Sequence, residues 1–339
     1  MSIGRFCNVL KNVLFIVDAL KILKEERPDL KFKMFYVGMG QDEDVLKEHI
    51  KQLNLNNDII LCGKIINRKI LSYYYKRGFT YVEVGDGDEL WKNRNCNDIA
   101  YIYNDVFKLL NKFKEDNRIY LIYGNHDIIK NRDSFYNTQY KALKKVGDNY
   151  GKNFLKFIKD INYHEAINFK YIPVNEKFLV THGHQADPMN YNFWLLSRFL
   201  VRYVWKFLNG IAGFNDPTSP AKNNKKGNKV DRKLERWSKD NGKMILCGHT
   251  HNSRMPELND PPYFNDGCCV LPYAITTIEV EKGNISLVKW NIESQESGVL
   301  WVRRKVITGP YRLETYLLWA RDERIRRIED EKVRSKRRR

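Results

Sequence analysis

The sequence predicts an α/β protein in three parts: a partial Rossmann-like βα fragment over residues 1–72, a larger α/β body over 73–292 and a basic helical tail over 293–339. Three observations predict it. Apolar runs of helical period alternate with short β-type runs in the first third. Four later β-type runs each end in a cluster of Asp, Asn or His. The last segment is helical in pattern from Tyr311 and ends in Arg337-Arg338-Arg339, a solvated basic tail.

In chain order, Val9 to Lys24 carries apolar residues at helical spacing, and Glu25-Glu26-Arg27-Pro28-Asp29 closes that helix. Lys33 to Gly38 predicts a buried strand, Asp44 to Leu53 a helix and Asp58 to Gly63 a second strand. Such βα alternation implies a parallel sheet. The β-type runs Phe79–Val84, Ile119–Tyr123, Lys177–Val180 and Met244–Cys247 follow. They lead into Gly85-Asp86-Gly87-Asp88-Glu89, Gly124-Asn125-His126-Asp127, Thr181-His182-Gly183-His184 and Gly248-His249-Thr250-His251. Polar groups gathered at the carboxyl ends of strands are where α/β folds build their sites.

Tyr191 to Phe214 is dense in Trp, Phe and Leu, with Arg198, Arg202 and Lys206 four apart on one helical face. It predicts a helix packed on the core or, over about 191–240, a helical cap, with a mobile basic loop from Asn215 to Asp231. Ala274–Val280 and Ile285–Trp290 predict a closing β-hairpin around the turn Glu281-Lys282-Gly283-Asn284.

Composition sets the outer bounds. A formal charge of +18 favours anionic partners: a phosphorylated small molecule, a nucleotide, a lipid-linked phosphate or an anionic membrane surface. No nucleic-acid-binding signature accompanies that charge, so no specific nucleic acid binding is predicted. The six cysteines form no Cys-x-x-Cys pair, which points to a reduced, cytoplasmic protein, in one reading peripheral to the membrane. The apolar run Val13–Val17 is broken by Asp18 and followed by no small-residue cleavage site, and no stretch is long and uncharged enough to span a bilayer.

The four clusters, in this order, resemble those of the calcineurin-like metallophosphoesterase superfamily over about residues 73–292. The resemblance implies a four-layer αββα sandwich. It makes Asp86 a metal-bridging ligand and Asn125, His182 and His249 ligands of the second metal. It gives His251 to the first metal, places His126 beside the leaving oxygen, and has Asp127 orient and charge-stabilise His126. His184, off the family's ligand position, is a substrate phosphate contact or a loop residue. Mn2+ is the expected ion, with Fe2+, Zn2+ or Mg2+ as alternatives, and bound metals clamp a phosphate and acidify a water. The helical cap is similar to that of UDP-2,3-diacylglucosamine hydrolases, in the same superfamily.

The family's opening Asp-x-His, which supplies two ligands of the first metal, is found nowhere in the chain, and the sandwich accordingly lacks its first strand. Residues 1–75 instead resemble the nucleotide-sugar-binding half of a group 1 (GT-B) glycosyltransferase. The resemblance rests on Gly4-Arg5-Phe6, Leu10-Lys11-Asn12 and the strands that follow. It implies that Arg5 and Lys11 are remnants of a nucleotide-diphosphate site, without sugar transfer, since half a cleft cannot orient two substrates. The expectation is a metal-dependent phosphoesterase of impaired activity. The alternative is a non-catalytic chimeric or binding protein that keeps only metal or nucleotide affinity.

Overall fold

The structure is a computed structural model that describes residues 2–3, 13–37, 43–63, 65–91, 93, 95–205, 224–269, 274–294 and 300–337. It divides into two compact units. The first comprises Met1–Tyr73, Val270–Ile275 and Trp290–Arg304; the second comprises Tyr74–Cys269, Thr276–Lys289 and Lys305–Arg339.

In the first unit, strands β1 (Ser2–Ile3), β2 (Met34–Val37) and β3 (Ile59–Gly63) form a parallel sheet in that order. Helices α1 (Val13–Glu26) and α2 (Glu43–Gln52) lie between the strands in sequence. Val17 of α1 and Leu46 and Ile50 of α2 share a core with Tyr36, Leu55 and Ile59. Arg5 and Lys11 lie outside the described residues. Helix α3 (Ile65–Lys76) leads into the second unit.

The second unit is a mixed α/β body. Strands β4 (Tyr81–Val84), β5 (Ile119–Ile122) and β6 (Tyr163–His164) make one parallel sheet. A second sheet has the order β10-β9-β8-β7, from β7 (Ala166–Tyr171), β8 (Glu176–Thr181), β9 (Ile245–Cys247) and β10 (Tyr263–Asn265). Only the β7–β8 hairpin is antiparallel; β8, β9 and β10 run parallel. Parallel pairing puts the carboxyl ends of β4 and β5 side by side, and likewise those of β8 and β9. The four polar clusters thus leave two neighbouring strand edges in the same direction as their partners. Ile122, Val180, Leu246, Phe264 and Ile285 are buried in one shared apolar cluster that holds these strands together.

The predicted hairpin forms as β11 (Ala274–Glu281) and β12 (Asn284–Ser294), with Lys282 and Gly283 at φ 51° and 76° in its two-residue turn. Two expectations need correction. In the segment 293–339, the end of β12 and strand β13 (Leu300–Arg312) stand where helix was expected, and β13 completes a sheet of order β11-β12-β13. The long helix Leu313–Arg337 that follows is no solvated tail at its start: Leu313, Tyr316, Leu317 and Ala320, at i, i+3, i+4 and i+7, are buried. The expected basic loop 215–231 contains the beginning of the helix Asn224–Asn241. Its first turns are polar on every side, and an apolar stripe begins only at Val230, Leu234 and Trp237, which pack against Ile245 and Tyr263. Lys206 and residues 206–223 of the expected cap lie outside the described residues.

Candidate metal centre

The loop after β4 turns sharply: Gly85 has φ 91° and Asp86 φ 56°. Gly85 is required by proximity as well, because a Cβ there would stand 2.5 Å from His182 Nδ1. The turn aims the Asp86 carboxylate inward, where Oδ1 accepts the His126 backbone N–H at 2.8 Å and Oδ2 lies 3.0 Å from His182 Nε2. A side chain at Gly124 would collide with that same carboxylate. His182 is held from behind, its Nδ1 bonding the Val84 carbonyl at 2.7 Å. Burial opposes its protonation, but the Asp86 carboxylate on one side and the Val84 carbonyl on the other outweigh that and raise it above its ordinary value, so both ring nitrogens face acceptors. Asp86, His182 and His249 each offer a ligand atom within 4.8 Å of the others.

These residues fit a divalent cation. Asn125 Oδ1 is buried without a hydrogen bond, and a buried polar atom in that state calls for a partner, while His182 Nε2 and His249 Nε2 face the carboxylates of Asp86 and Asp187. Burial pushes His249 down to about 4, so its imidazole is neutral, the form that binds metal. Burial opposes ionisation of Asp86, but the charges of His182 and His126 outweigh it and hold its carboxyl well below the usual range. Asp187 adds a buried carboxylate oxygen 3.5 Å from His249 Nε2.

His126 sits at the rim of this cluster, its ring stacked on Trp91 with centroids 4.3 Å apart. Its Nδ1 lies 2.9 Å from Glu89 Oε1, the last residue of the first cluster. The orienting carboxylate expected at Asp127 is therefore at Glu89. Asp127 turns the other way: Oδ1 accepts the backbone N–H groups of Gly124 at 2.7 Å and Asp86 at 3.3 Å, and Oδ2 meets Lys130 at 2.7 Å. It ties the two loops together, and this task fixes its direction away from the imidazole. The loop bearing Glu89 and Trp91 is held in turn by Arg202, which donates to the carbonyls of Leu90 and Trp91 at 2.8 Å.

His184 is fully buried, with neither ring nitrogen hydrogen-bonded, and burial drives it down to about 2. Its ring lies 5.4 Å from that of His182, outside the Asp86–His182–His249 cluster. His251 does not join that cluster either; its Nδ1 lies 3.4 Å from Cys268 Sγ.

The turn carrying His249 and His251 is strained, with φ values of 65° and 58° at two residues that are not glycine. Asp231 of the helix Asn224–Asn241 holds it, accepting Thr250 Oγ1 at 2.8 Å, Asn252 Nδ2 at 3.0 Å and Tyr263 O–H at 2.7 Å. Asp231→Ala is accordingly expected to weaken Mn2+ binding by about 10–100-fold, the range for residues that position ligands. Isothermal titration calorimetry reads it, and unchanged affinity would show that the turn keeps its shape without the clamp. Glu89, Lys130 and Asp231 were not singled out by sequence. Glu89 alone had a signal, its place in the first cluster.

Half-buried Asp86 and buried His182 and His249, gathered at strand carboxyl ends beside the His126–Glu89 pair, make a candidate divalent-metal site in an α/β protein. The family model for calcineurin-like phosphoesterases matches residues 38–253 of the 339, and the chain belongs to that family, whose chemistry is metal-dependent phosphoester hydrolysis. That match begins inside the segment that resembles a glycosyltransferase, and no comparison supports a glycosyltransferase fragment there. No curated protein and no solved structure matches the chain.

Proposed function

We propose that the protein hydrolyses a phosphate mono- or diester at the Asp86–His182–His249 centre. The observation that carries this reading is the convergence of those three ligand atoms within 4.8 Å, beside His126 and its Glu89 partner. Asp86, Asn125, His182 and His249 would hold a divalent ion, Mn2+ by expectation. Bound there, such an ion supplies Lewis-acid stabilisation of a phosphoryl oxygen and a more acidic water. The chain's own residues do the rest. Glu89 stabilises a protonated His126, which hands its proton from Nε2 to the departing oxygen. Trp91 keeps that ring in place by stacking, and Asp127 fixes the spacing of the two loops.

Without Asp-x-His, the first-metal position lacks two of its family ligands, so turnover is expected to be lower than in a chain that has them. The two sheets of the second unit are read as the αββα sandwich without its first strand. The substrate is a phosphorylated small molecule, a nucleotide or a lipid-linked phosphate. Exposed Phe193, Leu195, Leu196 and Phe199, near Arg198, suit an apolar substituent on that phosphate.

The test is hydrolysis of p-nitrophenyl phosphate and bis-p-nitrophenyl phosphate with Mn2+. Parent turnover is expected, with a loss of about 100- to 10,000-fold in His126→Ala, the usual contribution of a general acid. No turnover above a metal-free control would favour the alternative, a binding protein that keeps only metal or nucleotide affinity.

A further inference from the structure

We propose that Cys268 and His251 together form a thiolate-bearing metal position, taking the place of the absent Asp-x-His ligands and selecting a thiophilic ion such as Zn2+ over Mn2+. The inference rests on the phosphoesterase reading of the neighbouring centre and deepens it, since His251 is the residue which the family pattern gives to the first ion.

The separation fits. Zinc–sulfur and zinc–nitrogen bonds of about 2.3 and 2.0–2.1 Å at a tetrahedral angle put the two ligand atoms about 3.6 Å apart. Cys268 Sγ and His251 Nδ1 are 3.4 Å apart. Both groups are held before any ion arrives. The Cys268 backbone N–H donates to Thr276 Oγ1 at 3.0 Å, and its carbonyl accepts from the Thr276 N–H at 3.2 Å. Gly267, at φ 87°, has no room for a side chain between Ser253 and Thr276. His251 is fixed by the strained turn that Asp231 clamps. Preorganised ligands of this kind are what a metal site requires. Cys268 is 6% exposed and not in a disulfide. A buried thiol beside an imidazole nitrogen, after the paired strands β9 and β10 of which β9 also leads to His249, is chemically a soft addition to a hard site. Thiolate favours Zn2+ over Mn2+, whose preferred partners are carboxylate and water.

The experiment is titration of the full chain with Co2+, followed by absorption spectroscopy. Cobalt reports each class of ligand separately: visible ligand-field bands for the Asp-His-His centre, and a near-ultraviolet thiolate-to-Co2+ charge-transfer band only where sulfur binds. The parent and Cys269→Ser are expected to show both, with Zn2+ displacing the cobalt. Cys268→Ser and His251→Gln are expected to lose the charge-transfer band and keep the visible bands, and these retained bands prove that the variants are folded. Visible bands without a charge-transfer band in the parent would overturn the proposal while leaving the Asp-His-His centre intact. A charge-transfer band that persists in Cys268→Ser would overturn it too, by placing the thiolate elsewhere. Absence of all bands in the parent would overturn both readings.

Discussion

Lys130→Met is expected to lower the stability of the protein by about 3–5 kcal/mol, the cost of removing one partner from a buried ionic cluster. Lys130 Nζ lies 2.7 Å from Asp127 Oδ2, 2.8 Å from Asp88 Oδ2 and 3.6 Å from Glu83 Oε1. Its side chain is 2% exposed, that of Asp127 0%, and those of Asp88 and Glu83 10% and 14%. One ammonium thus serves three carboxylates where water cannot substitute. Methionine matches the length of the stem, so packing is conserved and the loss reads the charge. Chemical denaturation of the metal-free protein measures it. A loss below about 1 kcal/mol, the range of exposed pairs, would mean that solvent reaches the cluster.

The same cluster gives the loss a pH dependence of known sign. Burial raises Glu83 to about 7 even against the pull of Lys130. A carboxyl with a folded pKa above its unfolded one binds more protons in the folded state, so stability falls as pH rises from the ordinary carboxylate range toward 7. Without Lys130 the carboxylates rise further. The deficit of Lys130→Met relative to the parent is therefore expected to be larger at pH 8 than at pH 5, and Glu83→Gln added to it should recover part of the loss.

What was legible in the sequence is what local pattern determines. The βα alternation of the first unit rests on period, and α1, β2, α2 and β3 fall within a few residues of the expected bounds, while β1 and α3 were not expected. The four polar clusters stand at strand ends because each follows a short β-type run, and three of them begin with a glycine. The Lys282-Gly283 turn is readable for the same reason. What was not legible depends on partners distant in sequence. Lys130 reads as an ordinary surface lysine after an apolar pair; only the fold brings Glu83 and Asp88 to it. Asp231 sits in a Lys- and Asn-rich stretch that hides a helix, and its role exists only because Thr250 and Tyr263 arrive from elsewhere. Glu89 displaced Asp127 as the partner of His126 because Asp127 was needed to bond two backbone N–H groups, a demand that composition does not reveal. Strand β13 went unread because the run Arg303-Arg304-Lys305 breaks the alternation that marks a strand, beside a helix-like basic tail.

Asp86→Asn separates the metal centre from the fold that carries it. Asparagine tolerates the φ of 56° at this position, and its side-chain oxygen can still accept the His126 N–H that Asp86 Oδ1 now holds at 2.8 Å. The loops should therefore stay in place. What disappears is the charge that His182 Nε2 faces at 3.0 Å, together with the one anionic member of the Asp86–His182–His249 set. Three neutral ligands hold a hard divalent ion poorly, because carboxylate is the donor that such ions prefer. The expected result is a fall in Mn2+ affinity of more than about 100-fold, beyond the range for residues that merely position ligands. Turnover at limiting Mn2+ should fall in proportion, and the metal-free protein should lose only the stability that the Asp86 charge draws from His182 and His126. If affinity survives the substitution, the ion is held elsewhere and the Asp86–His182–His249 set is not the metal centre.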